Sequence, residues 1–254
     1  MATLVMKFGG ASVETISRLS EAAALIVERL RTFDRIAVVV SAMGNTTNQL
    51  LAMAQEVNSS PPCREQDMLV SVGERISMSL IAMALDKLGC KAKSFTGSQS
   101  GIITCPRHAE ARIIDVRPKR LLTHLDEGHV VIVAGFQGVS LAGEITTLGR
   151  GGSDTTAVAL GIALGAEFVE FYKDVPGVYN KDPKTDSNAH LFSSMSYDEA
   201  LCVVSQGGRI LHPRSILLAQ KNATLLHVRS FMENSSGTWI GAQQVKGLPV
   251  YEEV

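Results

Sequence analysis

Cysteine is scarce in this chain of 254 residues. The four cysteines, at positions 63, 90, 105 and 202, form no C-x-x-C pair and no zinc spacing. Separated thiols with no secretion signal ahead of them suit a reduced, cytoplasmic compartment. The opening MATLVMKFGG lacks the basic start and long apolar core of a signal peptide. Long hydrophobic runs are missing as well. The most apolar stretch, Thr155 to Val169, is too short and too broken by glycine to cross a bilayer, and it reads as a buried helix. Charge of one sign is also lacking, since 24 Lys+Arg against 25 Asp+Glu leave a net charge of -1. Such a chain has no field to gather nucleic acid or anionic lipid, so neither a nucleic-acid nor a membrane partner is expected. Any bound anion must be held by local arrangement. The six histidines show no metal spacing. Neither Walker-A spacing nor the six-residue dinucleotide fingerprint occurs, which argues against P-loop and Rossmann sites.

What is present is a globular composition, 45% hydrophobic and 19% charged. Short apolar runs alternate with amphipathic stretches. Leu4–Phe8, Ile36–Val40, Lys91–Phe95, Val130–Phe136, Phe168–Tyr172, Thr224–Arg229 and Thr238–Ile240 read as strands. Helical spacing covers Glu14–Arg31, Glu65–Leu88, Asp154–Leu164, Tyr197–Gln206 and Arg214–Asn222. Strand–loop–helix repetition of this kind predicts a mostly parallel sheet with helices on both faces, and ligands beyond the carboxyl ends of its strands. Asp174–His190, rich in Pro, Asp, Asn and Gly, is the most loop-like stretch. It divides a single domain, 1–254, into an expected substrate lobe (about 1–170) and nucleotide lobe (about 171–254).

Two glycine-rich turns suit an anion. Lys7-Phe8-Gly9-Gly10 sets a lysine on a strand with two glycines after it, which lets backbone N–H groups approach a phosphate. Alone it reads better as a plain strand-to-helix turn beside a surface lysine, because short glycine motifs are weak signals. Gly149-Arg150-Gly151-Gly152-Ser153-Asp154 is richer: glycines free the backbone to form an anion nest, and Arg150 offers a planar fork for a carboxylate. Asp154 could orient Lys7 or hold Mg²⁺ indirectly, and Ser153 or Asp154 could cap the following helix. Glu74 reads either as a surface helix carboxylate or as a receptor for an ammonium group. Tyr179, with Lys173 or Lys184, could supply an aromatic face and cations for a nucleotide. His212, before Pro213, reads as a packed or capping residue.

Taken in order, KFGGAS (7–12), VVSAMGNTTNQL (39–50), SVGERIS (71–77), ARIIDV (111–116), GFQG (135–138), TLGRGGSDTTA (147–157), KDVPGVYNKDPK (173–184) and GGRILHPRS (207–215) resemble the catalytic domain of aspartokinases, in the amino-acid kinase family. The likeness spans roughly residues 3–241. It implies a three-layer α/β/α sandwich, ATP and Mg²⁺, and an aspartate substrate whose side-chain carboxylate is phosphorylated. By that resemblance Lys7, Gly9 and Gly10 cradle the transferred group and Ser41 lies on the ATP side. Thr47, Glu74, Arg150, Gly151, Gly152 and Ser153 hold the amino acid. Asp154 organises the catalytic lysine and metal region, with Mg²⁺ bound mainly through ATP phosphates rather than by a protein ligand. Lys173, Asp174, Tyr179 and Lys184 fall on the nucleotide segment, and Arg209 stands where a second catalytic-region lysine is usual.

Three positions depart from the family pattern: Lys173 stands for Thr, Lys184 for Arg and Arg209 for Lys. All keep or add positive charge, although Arg and Lys differ in geometry. Aspartokinases usually continue into two small regulatory domains, so a chain ending at Val254 is expected to escape amino-acid feedback, and any homodimer would form through the catalytic domain. Carboxylates are ionised at neutral pH, so the absence of an evident histidine base is expected for this chemistry. Alternatives are a same-fold kinase for glutamate, N-acetylglutamate, carbamate or another acid of a specialised pathway, and a nucleotide-binding homologue without turnover.

Overall fold

The computed structural model describes residues 1–181, 188–208, 210–233, 235–241 and 248–253. β1 (Thr3–Phe8) passes through a 3-10 turn (Gly10–Val13) into α1 (Ile16–Arg29), which leads to β2 (Arg35–Val40). The helices α2 (Thr46–Val57), α3 (Cys63–Val70) and α4 (Val72–Lys87) precede β3 (Ala92–Phe95), β4 (Ile102–Thr104) and β5 (Ile113–Val116). Then come α5 (Lys119–Asp126), β6 (Val130–Ala134), β7 (Gln137–Ser140), β8 (Ile145–Thr147), α6 (Gly152–Ala163) and β9 (Phe168–Lys173). The chain continues through β10 (Ser194–Met195), α7 (Tyr197–Ser205), α8 (Pro213–Lys221), β11 (Leu226–Ser230) and β12 (Thr238–Ile240).

Eight strands form one sheet in the order β10-β12-β11-β9-β1-β2-β6-β3. Its pairings are parallel except β11 with β12. Parallel strands buried on both faces need continuous apolar runs, and β1 and β2 supply them. Alternation then sorts the side chains. Leu4, Met6 and Phe8, with Ile36, Val38 and Val40, meet Leu19 and Ile26 of α1 and Ile81 and Leu85 of α4. Val5, Ala37, Val39, Val131 and Val133 pack with Leu121 and Leu125 of α5 and with Ala157 and Leu160 of α6. The result is the expected three-layer α/β/α sandwich. By the same period Lys7 shares the face of Val5, toward α6.

The long helix expected over Glu65–Leu88 is two helices. They meet at Ser71, whose Oγ donates to the Met68 carbonyl (3.0 Å) and whose own carbonyl also accepts from Gln137 Nε2 (2.8 Å). Cys63–Lys87 has the length and apolarity of a bilayer crossing. Its α4 portion, however, buries Glu74, Ser77, Met78, Ile81 and Leu85 and packs against α1, β2, β3 and β6. The strand expected to reach Phe136 stops at Ala134, because Phe136 takes a left-handed φ of 68°. The helix α5 and the two-residue strand β10 were not anticipated, nor were two further features. One is α2, which begins within the expected loop at Thr46. The other is a second sheet, in the order β5-β4-β7-β8. Its strands are three or four residues long, too short for a periodicity reading. It carries the Gly149 loop at the end of β8.

Candidate active site

The C-terminal ends of β1 and β2 and the N-termini of α2 and α6 surround a cleft of about 600 Å³. Lys7, Gly10, Ser41, Thr47, Glu74, Arg150, Gly151, Gly152, Ser153 and Asp154 all line it. These residues come from distant parts of the chain, and the fold brings them together.

Lys7 and Asp154 form the floor. Lys7 Nζ lies 2.7 Å from Asp154 Oδ1, with only 6% and 9% of the two side chains exposed. Lys173, the last residue of β9, reaches Asp154 Oδ2 at 3.4 Å. Burial opposes ionisation of Asp154, but Lys173 and Lys7 outweigh it and hold the carboxyl down at about 2. Burial pushes the Lys173 ammonium down from its ordinary value, against the pull of Asp154. Lys173, expected on the nucleotide segment, touches this floor through Asp154. Ser153 and Asp154 lie inside α6, and no side chain caps this helix. The capping role considered for them is therefore incorrect, and the helix N-terminus opens into the cleft.

Geometry demands glycine at Gly151 and leaves little room for a side chain at Gly10. Gly151 has φ +73°, and a Cβ there would sit 2.1 Å from His212 Cγ. A Cβ on Gly10 would press to 3.0 Å from the Ala42 carbonyl oxygen. Gly9 lies beside the Lys7 ammonium, which is 3.6 Å from the place of its missing Cβ. His212 is the N-cap of α8, accepting from Arg214 N–H, as its sequence context suggested.

Glu74 is not a surface carboxylate. It is 2% exposed in the first turn of α4. Oε1 accepts the Ala42 N–H at 3.1 Å, while Oε2 is buried without a hydrogen-bond partner. Burial raises its carboxyl to about 7, despite that hydrogen bond and the nearby Lys7. Arg150 is exposed at the rim. Asp174 is exposed, and Tyr179 is half-buried in a bridge with Leu191; neither lines the cleft. Lys184 and Arg209 lie outside the described residues.

Residues 2–230 match the model of the amino acid kinase family. The chain belongs to the amino acid kinase family. It is 49% identical to an aspartokinase of Corynebacterium glutamicum over 255 aligned positions, covering all of this chain and 60% of that protein. Among solved structures it resembles the aspartate kinase of Synechocystis, with TM-score 0.87, 42% identity, and 97% of this chain against 40% of that one. It also resembles E. coli aspartokinase III in complex with aspartate and ADP, with TM-score 0.85, 27% identity, and 96% of this chain against 65% of that one. The chain spans about 60% of the length of the curated relatives it matches.

Sequence reading missed Asp67, a fully buried residue of α3. Its carboxylate accepts from Thr147 Oγ1 (2.5 Å) and from the Ala109 N–H (3.1 Å), and it lies 2.7 Å from His108 Nδ1. It ties α3 to the 105–112 loop and to the end of β8, two residues before Gly149. Ala109 holds a left-handed φ of 66° within this tie. Nothing in CREQDMLV distinguishes Asp67 from a surface acid, because its three partners arrive from 41 to 80 residues away. Asp67→Asn turns one acceptor oxygen into a donor facing donors. It is expected to lower unfolding stability by about 2 kcal/mol or more, read from urea midpoints at equal slope.

Proposed function

We propose that this chain transfers the γ-phosphoryl group of ATP to the side-chain carboxylate of aspartate, giving 4-phospho-aspartate. The observation that carries the reading is the buried Lys7–Asp154–Lys173 cluster at the floor of a cleft whose wall holds an unpartnered carboxylate, Glu74. The identity to aspartokinases across the whole chain supports the same substrate.

The task is to join two anions, and an ionised carboxylate needs no general base. Catalysis then rests on in-line positioning and on neutralising the transferred group. One carboxylate between two ammonium groups leaves one net positive charge on the floor. Asp154 fixes Lys7 so that its ammonium is aimed before substrate arrives, at no cost in reorganisation during reaction. Gly9, Gly10 and the uncapped start of α6 offer backbone N–H groups to phosphoryl oxygens. The orphaned Glu74 Oε2 fits a substrate ammonium, and Arg150 with Gly151, Gly152 and Ser153 fits its α-carboxylate. Ser41 and Thr47 complete the two sides of the cleft. Both oxygens of Asp154 are occupied by lysines, so Mg²⁺ would be held through ATP phosphates, where it would neutralise β- and γ-oxygens. Asp174, Tyr179 and Lys184 remain assigned to the nucleotide side, and Arg209 to the catalytic region. Exposed Val72, Ile76 and Met83 on α4 support a homodimer of this unit. Four unpaired cysteines suit a cytoplasmic setting.

Hydroxylamine trapping of acyl phosphate, with ATP-Mg²⁺ and a panel of acids, tests the reading. Aspartate is expected to give product, and Lys7→Ala or Asp154→Ala to lower turnover by about 10²-fold or more with the fold intact. Preference for glutamate, N-acetylglutamate or carbamate would replace the substrate, and silence with every acid would replace the activity. A pH series checks Glu74. An ammonium receptor must be ionised, and burial sets its carboxyl at about 7. KM for aspartate is therefore expected to fall as pH rises from about 6 to 8. That dependence should vanish in Glu74→Gln.

A further inference from the structure

We infer that His124, Glu127 and His129 form a binding site for a divalent transition metal of the zinc type, separate from the catalytic cleft. His124 closes the last turn of α5, Glu127 follows that helix, and His129 immediately precedes β6. In sequence the set is H-x-x-E-x-H, a spacing that gave no signal by itself. The turn between helix and strand, with Gly128 at φ +76°, folds the three together.

Their candidate ligand atoms all lie within 4.8 Å of one another. His124 Nδ1 is 2.9 Å from Glu127 Oε2, and His129 Nδ1 is 3.6 Å from the same oxygen. The two imidazole rings stand nearly perpendicular, at 81°, with centroids 5.5 Å apart. An ordinary hydrogen bond accounts for His124 and Glu127. It does not account for His129, whose Nδ1 is buried and has no hydrogen-bond partner. A ring nitrogen withdrawn from water without a partner is costly, and a metal ion shared with Glu127 and His124 would satisfy it. Arg35, the cation on neighbouring β2, is already engaged by Asp126 and does not compete for Glu127.

The donor set decides the metal class. Two imidazoles and one carboxylate suit Zn²⁺ and its transition-metal neighbours, with a further position left for water. Mg²⁺ and Ca²⁺ prefer all-oxygen shells and are disfavoured. Tetrahedral zinc wants donor atoms about 3.3 Å apart, so small side-chain rotations close the set. The cleft lies at the carboxyl ends of the parallel strands, whereas His129 stands at the amino end of β6. Metal here would pin the end of α5 to the sheet rather than take part in phosphoryl transfer, and the inference does not depend on the proposed function.

Calorimetric titration of zinc sulfate into the EDTA-stripped chain tests it. One site of micromolar or tighter affinity is expected, with Co²⁺ giving visible absorption in its place. At a hundredfold excess over Kd, the thermal midpoint should rise by about 5 °C or more. His129→Ala and Glu127→Gln should each weaken zinc at least about tenfold, while far-UV circular dichroism in EDTA stays as in the parent chain. Absence of saturable zinc binding, or unchanged binding in His129→Ala, would overturn the inference.

Discussion

A carboxylate withdrawn from water between two ammonium groups is the constraint on which this molecule depends. Removing Asp154 from solvent costs several kcal/mol, and neither lysine alone would offset that well. Lys7 and Lys173 do so together, and each arrives from a different central strand. β1 pairs with β9, so Lys7 and Lys173 end adjacent strands on the side where α6 begins. The sheet therefore has to form in this register for the cluster to exist. A one-residue slip of β1 would turn Lys7 into the α1 layer and leave Asp154 buried beside one cation.

Two other buried carboxylates, one lining the cleft and one behind it, are treated in opposite ways. Asp67 is saturated by three partners and serves to hold the 105–112 loop against β8. Glu74 is half-satisfied, with one oxygen on the Ala42 N–H and the other on nothing. The first spends its charge on the fold. The second, in the proposed function, keeps its charge for a ligand, and burial raises its carboxyl to about 7. Their difference distinguishes scaffold from recognition more sharply than exposure does, since both are buried.

Much of this was legible in the residues. The apolar runs of β1, β2, β6 and β9 fixed the layered sheet, and the glycine turns pointed to the cleft. Lys7, Glu74 and Arg150 were recognised from the ordered family motifs rather than from any one segment. What stayed hidden was long-range. Asp67 looks like any acid on an eight-residue helix. The short strands β4, β5, β7 and β8 carry too few residues to show a period. The contact of Lys173 with Asp154 was hidden because it depends on the pairing of β1 with β9. The His124–Glu127–His129 group is invisible as spacing because a left-handed glycine turn assembles it.

The central claim is that Lys7 and Asp154 act as one unit in phosphoryl transfer. A double-mutant cycle on kcat, with Lys7→Met, Asp154→Asn and the double variant assayed on aspartate, measures this directly. The account expects the double variant to be about as slow as the slower single variant, a coupling of about 2.7 kcal/mol where each single loss is about 10²-fold. Losses that simply multiply would show that the two residues act independently and would contradict it.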